Sequence, residues 1–131
     1  MNKVVIEKEL GATPDKNEIE AVDILVIEKF ASKHVLFLKA HRREGEHTPD
    51  IRVDHDVEWE IKTPTKAKKE TLDNAIKAGL KQSKNLIFNL QKIPPRDFER
   101  AKSKIEGDFE KVKSWERLVF VTKDKKTLIS K

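Results

Sequence analysis

Residues 48–62 decide the fold, and their sequence is TPDIRVDHDVEWEIK. Two short runs, each with a β-branched residue, flank the polar triplet at positions 54–56. Two strand-forming runs around such a triplet predict a β-hairpin with a loop of about three residues. If the triplet forms the loop, Val53 faces Val57 across the two strands.

Three charged side chains meet on one face of this predicted hairpin. Continuing the pairing outward sets Asp50 opposite Glu60, with Cβ atoms about 4.5–5.5 Å apart. Lys62 lies two residues beyond Glu60 and therefore points to the same face. Opposed carboxylates destabilise a strand pair unless something neutralises them, and a hard divalent cation such as Mg²⁺ or Mn²⁺ does so. The alternative is a solvated hairpin face, the usual position of charged side chains.

The same residues resemble the signature of a nuclease superfamily. Pro49-Asp50, then nine residues, then Glu60-Ile61-Lys62 is similar to the PD-(D/E)XK motif, which is proline-aspartate, a variable gap, and acid-any-lysine. The surrounding stretches look like one branch of it, the tRNA-nuclease domain at the C-terminus of CdiA-type contact-dependent growth-inhibition toxins. The resemblance covers roughly residues 14–92, and none is evident in the last forty or so. The stretches that carry it are GEHTPD at 45–50, WEIKTP at 59–64, GLKQS at 79–83 and NLIFNL at 85–90.

The resemblance implies a fold, an activity, a cofactor and partners. The fold is a restriction-endonuclease-like core, and the activity is metal-dependent hydrolysis of phosphodiester bonds with Mg²⁺ or Mn²⁺. The resemblance assigns Asp50 and Glu60 to the metal, and Lys62 to orienting the attacking water or stabilising the developing negative charge. As substrate it favours tRNA, with DNA cleavage by an endonuclease of the same superfamily as the alternative. A toxin would also need an immunity protein as partner.

Two further site residues come from the helices. Glu18 shares a face with the apolar residues four and seven positions on, in a helix predicted to begin at Thr13-Pro14. In the family a glutamate on the first helix often joins the metal site, so Glu18 is the first candidate and Glu20 the second. A first-turn acid that complements the helix dipole is the alternative for Glu18. Gln82 faces the site in the resemblance, and an ordinary residue at a helix C-terminus is the alternative.

Basic residues lie beside these carboxylates in the sequence. The formal net charge is +5, and residues 62–84 hold seven lysines against two acids. A basic surface next to a carboxylate cluster suits a polyanion that must reach a metal. The alternatives are a solvated lysine-rich helix face, a non-catalytic basic nucleic-acid-binding module, and a structural domain with incidental charges. The candidate nucleic-acid contacts are Lys66, Lys68, Lys69, Lys77, Lys81, Arg42 and Arg43.

Composition bounds the class of protein. The 131 residues predict a single domain, 1–131, large enough to bury a core. The absence of cysteine excludes disulfides and thiolate metal sites, and the four histidines have no zinc-ligand spacing. No apolar run approaches the ~18 residues that span a bilayer, and the N-terminus has no signal-peptide core. We therefore expect no membrane segment, and a cytoplasmic protein or a delivered toxin fragment.

The order of the predicted elements indicates the fold class. Strands and helices alternate around the hairpin, which predicts an α/β or α+β fold with a mixed central sheet flanked by helices. The other predicted segments are an edge strand at 4–6, a helix from 13 to about 30, strands at 34–38 and 86–90, a helix over 66–84 capped by Thr65, a helix from Pro95 or Asp97, and a closing hairpin over 118–129.

Overall fold

The described strands form one seven-stranded mixed sheet with helices on both faces. The computed structural model describes residues 4–27, 33–39, 49–122 and 126–130, and the side chains of these residues except 24–27 and 126–130. The strands are β1 Val5–Lys8, β2 His34–Phe37, β3 Ile51–Val53, β4 Val57–Lys62, β5 Asn85–Asn89, β6 Arg117–Val121 and β7 Lys126–Ser130. The helices are α1 Lys16–Ile27, α2 Lys69–Gln82 and α3 Phe98–Glu110, with a 3₁₀ turn at Pro95–Asp97.

The strands lie side by side in chain order. The pairs β1–β2, β4–β5 and β5–β6 are parallel, whereas β2–β3, β3–β4 and β6–β7 are antiparallel. Parallel neighbours need a crossover connection, and α1, α2 and α3 lie in the connections between the three parallel pairs. The predicted class, a mixed sheet flanked by helices, is therefore confirmed.

Two cores pack against the two faces of the sheet. Successive strand residues point to opposite faces, and β5 is buried on both. Ile87 lies in the core beneath α1, whereas Leu86 and Phe88 lie in the core beneath α2 and α3. Each core also contains one tryptophan, Trp59 on the α1 side and Trp115 on the α2–α3 side. The central strand thus joins two separate apolar layers.

The β3–β4 hairpin has the register that the sequence predicts. Val53 pairs with Val57, and the loop is closed by a hydrogen bond of 3.2 Å from the Asp56 N–H to the Val53 carbonyl. Asp54 and His55 have φ values of 51° and 74°. Asp and His enter this left-handed region more readily than most residues other than glycine. The three-residue loop is therefore confirmed, and its conformation follows from the residue types.

The predicted start of the first helix is wrong by two residues. α1 begins at Lys16, because the Asp15 Oδ1 atom accepts a hydrogen bond of 2.8 Å from the Glu18 backbone N–H. Asp15, and not the predicted Thr13, therefore satisfies a free N–H of the first turn. The predicted end of this helix, near residue 30, lies outside the described residues.

The second helix also begins later than predicted, whereas the third begins directly after one of its two predicted starts. α2 begins at Lys69, because Lys68 has extended dihedral angles (φ −76°, ψ 142°) and no side-chain cap hydrogen bond forms there. Thr65 therefore does not cap α2. Of the two predicted starts of the third helix, Pro95 opens the 3₁₀ turn, whereas Asp97 is the N-cap residue of α3, which begins at Phe98. None of the helices in the described ranges has the length and apolar character that a membrane crossing requires.

Gly79 lets α2 approach the sheet closely. A Cβ atom at this position would lie 2.4 Å from Leu86 Cδ2, which belongs to a fully buried side chain. We predict that Gly79→Ala lowers the free energy of unfolding by about 1–3 kcal/mol, because overpacking outweighs a gain in helix propensity of about 1 kcal/mol. Urea unfolding measures the change. Gly107→Ala is the matched control and should be neutral or stabilising, since nothing lies within 4 Å of its added Cβ. Equal stability of Gly79→Ala and wild type would contradict the close packing.

Candidate active site

Asp50 is held at the edge of the hairpin by three hydrogen bonds to main-chain groups of other residues. Its N–H donates to the Trp59 carbonyl (3.0 Å), and its carbonyl accepts from the Leu38 N–H (2.9 Å). Its Oδ2 atom accepts a third bond, of 2.8 Å, from the Ile61 backbone N–H. Asp50 therefore extends the pairing of β2, β3 and β4 by one residue, and its carboxylate lies across β4 beside Glu60.

Glu60 is a buried carboxyl group that lacks a full set of partners. Its side chain is 5% exposed, and its Oε2 atom lies 3.2 Å from Lys62 Nζ. No described group donates a hydrogen bond to its buried Oε1 atom. Burial and the nearby Asp50 carboxylate raise the pKa of Glu60 to about 8, against the opposing effect of the Lys62 ammonium.

Lys62 lies between Glu60 and α2. A Cβ atom at Gly79 would be 3.6 Å from Lys62 Cγ and 3.8 Å from its Cε, so α2 passes directly over the aliphatic part of the lysine. The side chain is 25% exposed, and its ammonium contacts Glu60. α2 thus packs along the aliphatic part of Lys62 at van der Waals distance, while the ammonium contacts the Glu60 carboxyl group.

Glu18 approaches Asp50 from the first turn of α1. Burial, followed by the carboxylates of Asp50 and Asp15, raises the pKa of Glu18 to about 7. Glu18 and Asp50 also line one cavity of about 270 Å³. The other described residues around this cavity are Gly11, Thr13, Pro14, Phe37, Leu38 and Lys39. The first turn of α1 therefore lies close to the hairpin carboxylates, despite the repulsion between Glu18 and Asp50.

The structure does not assemble the three acids into a single ligand set. Asp50 neighbours Glu60 and also Glu18, but no three Asp, Glu or His side chains of the described residues are placed together to hold a metal ion. A pair of carboxylates nevertheless fits Mg²⁺, which usually keeps several waters and takes one or two carboxylates plus substrate phosphates. The unpartnered Oε1 of Glu60 is an oxygen of the required kind. Asp50 and Glu60 could therefore hold the ion without Glu18.

Gln82 lies in a different cavity from Glu18. It ends α2, and its buried Oε1 atom has no hydrogen-bond partner among the described residues. The cavity beside it has a volume of about 300 Å³ and reaches Pro49, the residue before Asp50. Its other described residues are Asp56, Val57, Glu58, Ser83, Lys84, Asn85, Glu116 and Arg117. Gln82 thus lies near the approach to the hairpin carboxylates, on the α2 side.

The candidate phosphate-binding lysines are exposed but not equivalent. Lys69 Nζ lies 3.1 Å from Asp73 Oδ2, and the same aspartate contacts Lys104 Nζ of α3 at 2.7 Å. Hydrogen bonds from both lysines lower the pKa of Asp73. The other four predicted contacts on this side, all exposed, are Lys66, Lys68, Lys77 and Lys81. Arg42 and Arg43 lie outside the described residues.

Lys39 is a cation in the cavity of Glu18 and Asp50, and the sequence analysis did not identify it as a site residue. It lines the cavity of Glu18 and Asp50, yet it lies 11 residues before Asp50 and belongs to no motif. Only the pairing of β1 with β2 brings the loop after β1 next to it. No local signal in the sequence reports this contact.

Comparison with known proteins identifies the family. The family model of the contact-dependent growth inhibition CdiA C-terminal domain matches residues 46–127, which is more than half of the chain. The chain belongs to this family of toxin domains. The match includes Asp50, Glu60, Lys62 and Gln82 of the CdiA domain, whereas Glu18 lies before it. It also includes α3 and β6, so the expectation of no resemblance in the last forty residues is wrong.

A solved structure is similar to this CdiA domain in fold. It is described as a CdiA-CT/CdiI toxin and immunity complex from Burkholderia pseudomallei, and the TM-score is 0.58. The similarity covers 95% of this chain and 99% of that chain at 12% sequence identity. At this identity it establishes the shared fold. No curated protein matches the chain.

The raised pKa of Glu60 predicts how stability depends on pH in the metal-free protein. The folded state holds the proton up to about pH 8, whereas the unfolded state releases it near 4.5. The stabilisation is therefore present below pH 4.5 and is lost as the pH rises to about 8, with a slope of up to about 1.4 kcal/mol per pH unit for one proton. Glu60→Gln should flatten this slope in urea unfolding with EDTA, and Glu58→Gln should not. Parallel pH profiles for Glu60→Gln and wild type would contradict the assignment.

Proposed function

We propose that this CdiA toxin domain is a metal-dependent nuclease of the PD-(D/E)XK type that cleaves tRNA. The observation that carries the proposal is the buried Glu60 between Asp50 and the Lys62 ammonium at one edge of the hairpin. Toxins of this family are typically nucleases or other toxic enzymes. A buried acid with a raised pKa beside a second acid and a lysine is the kind of arrangement that concentrates at active sites.

In this proposal Asp50 and Glu60 would hold the Mg²⁺ or Mn²⁺ ion. The bound ion supplies polarisation of the scissile phosphate and a lowered pKa of the attacking water. Burial and the Asp50 carboxylate raise the pKa of Glu60 to about 8 and so favour its protonated form. The unpartnered Oε1 atom of Glu60 is a donor oxygen that would be available to such an ion, and ligation would require the ionised carboxylate. Glu18 would support the site through Asp50.

Lys62 provides the positive charge that the reaction needs near the phosphate. Its ammonium lies 3.2 Å from Glu60 Oε2 and is partly accessible, because a quarter of the side chain is exposed. From this position it would orient the attacking water or stabilise the negative charge that develops on the phosphate. Because the aliphatic part of Lys62 packs against α2, the ammonium can take fewer positions.

Recognition of the substrate would rest on phosphates and shape. The exposed lysines of the α2 side are suited to contact a nucleic-acid backbone. Base stacking on tryptophan is not available, since Trp59 and Trp115 are 3% and 6% exposed and the chain has no tyrosine. Folded RNA such as tRNA is recognised largely through shape and backbone contacts, which fits this surface.

An immunity protein is the second proposed partner. The similar solved structure is a toxin and immunity complex, and its chain aligns over nearly its whole length with this one. A nuclease that acts on tRNA would harm the cell that makes it. We therefore propose that a cognate immunity protein binds this domain, and that the domain acts after delivery to a target cell.

Substitutions at the three central residues test the site. We predict that Asp50→Asn, Glu60→Gln and Lys62→Ala each lower the rate of tRNA cleavage by about 100-fold or more, the effect typical of removing a charge-stabilising group. Glu58→Gln is the matched control, because Glu58 lies two residues before Glu60 on the same strand face and pairs with Arg52. Its rate should stay close to that of wild type. Cleavage by all three variants at the wild-type rate would refute the site.

Metal removal and a choice of substrates test the reaction and its target. We predict that purified protein with Mg²⁺ fragments total tRNA on a gel, that EDTA stops the reaction, and that added Mg²⁺ or Mn²⁺ restores it. Cleavage of plasmid DNA in place of tRNA would support the DNA endonuclease alternative. Salt-sensitive binding of either nucleic acid without cleavage, unchanged by EDTA, would indicate a non-catalytic binding module.

A further inference from the structure

Two carboxylates and one ammonium surround the cavity between the N-terminus of α1 and the sheet. Glu18 and Asp50 supply the negative charges, and Lys39 is the cation among the described residues that line it. Asp50 also neighbours Glu60, so one residue of the proposed metal pair lines the cavity together with Lys39.

Lys39 is held in place by the loop that follows β1. Its backbone N–H donates a hydrogen bond of 2.9 Å to Glu9 Oε1, and the Glu9 N–H donates to the Phe37 carbonyl at 2.9 Å. The loop thereby fixes the backbone of Lys39 just beyond the end of β2.

Gly11 in the same loop makes room for the side chain of Lys39. A Cβ atom at Gly11 would lie 3.1, 3.2 and 3.4 Å from Lys39 Cδ, Cε and Nζ. Gly11 has a φ of +89°, a conformation that glycine adopts without strain. The lysine therefore lies along the loop with its ammonium beside Gly11, which itself lines the cavity.

We propose that this cavity is a phosphate-binding subsite for the nucleic acid, with Lys39 as its cationic contact. The inference rests on the proposed nuclease function and adds to it a residue that no motif marks. A phosphate next to Glu18 and Asp50 needs a compensating positive charge on its far side, and Lys39 supplies that charge. A volume of about 270 Å³ accommodates a phosphate with part of its sugar. The lysine contributes to binding and takes no part in proton transfer.

Equilibrium binding of labelled tRNA tests the subsite. The parent protein is Lys62→Ala, in buffer with Mg²⁺, so that binding is measured without cleavage. We predict that adding Lys39→Ala weakens binding about tenfold, the effect of losing one charged hydrogen bond, and lowers the slope of log affinity against log salt by about 0.7–0.9. Lys39→Arg should retain most of the affinity, because it keeps the charge. Thermal unfolding of each variant confirms that the fold is intact.

Lys16→Ala is the matched control. Lys16 begins α1, its side chain is 88% exposed, and it does not line the cavity. Lys16→Ala removes one positive charge near the N-terminus of α1, as Lys39→Ala does. A general electrostatic effect on tRNA binding should therefore appear in both variants. Equal binding by the Lys39→Ala protein and its parent, an equal loss in Lys16→Ala, or no measurable tRNA binding by the parent would overturn the proposal. Failure of wild-type protein to cleave tRNA would instead reject the nuclease function, while the binding comparison still decides the role of Lys39.

Discussion

The hydrogen bond from the Ile61 N–H to Asp50 Oδ2 fixes the carboxylate that connects the two halves of the candidate site. On one side of Asp50 lies Glu60, and on the other lies Glu18 with the cavity of Lys39. Because side chains alternate along a strand, a slip of one residue in the hairpin would turn these carboxylates to the wrong face. The register set by the turn at residues 54–56 is therefore also the constraint that assembles the chemistry.

Burial of Glu60 is a local conflict between an acid and its apolar surroundings. The surrounding strands carry apolar side chains with almost no exposed surface, whereas Glu60 places an acid with one unpartnered oxygen in the same layer. The Lys62 ammonium favours the ionised form of Glu60, whereas burial and Asp50 favour the protonated form, and the net effect is a pKa raised to about 8. Natural proteins tolerate such conflicts mainly where function requires them.

Local patterns in the sequence determine the hairpin, whereas contacts distant in sequence determine the rest of the site. The proximity of Asp50, Glu60 and Lys62 follows from a period of two and a short loop, and both can be seen in fifteen residues. The start of α1 was predicted two residues too early. Asp15 and Thr13 are both good N-cap residues, and only the folded structure decides between them. The sequence alone does not predict Lys39 as a site residue, because its position beside the acids depends on its contact with the loop after β1.

The two tryptophans give this domain a means of following its own unfolding. Trp59 lies in the layer beneath α1, and Trp115 lies in the layer beneath α2 and α3. With no tyrosine in the chain, emission in the near ultraviolet comes from these two indoles. A variant with one indole replaced by phenylalanine would therefore report on a single layer. Comparing the two single-indole proteins would reveal whether both faces of the sheet melt in one cooperative event or in succession.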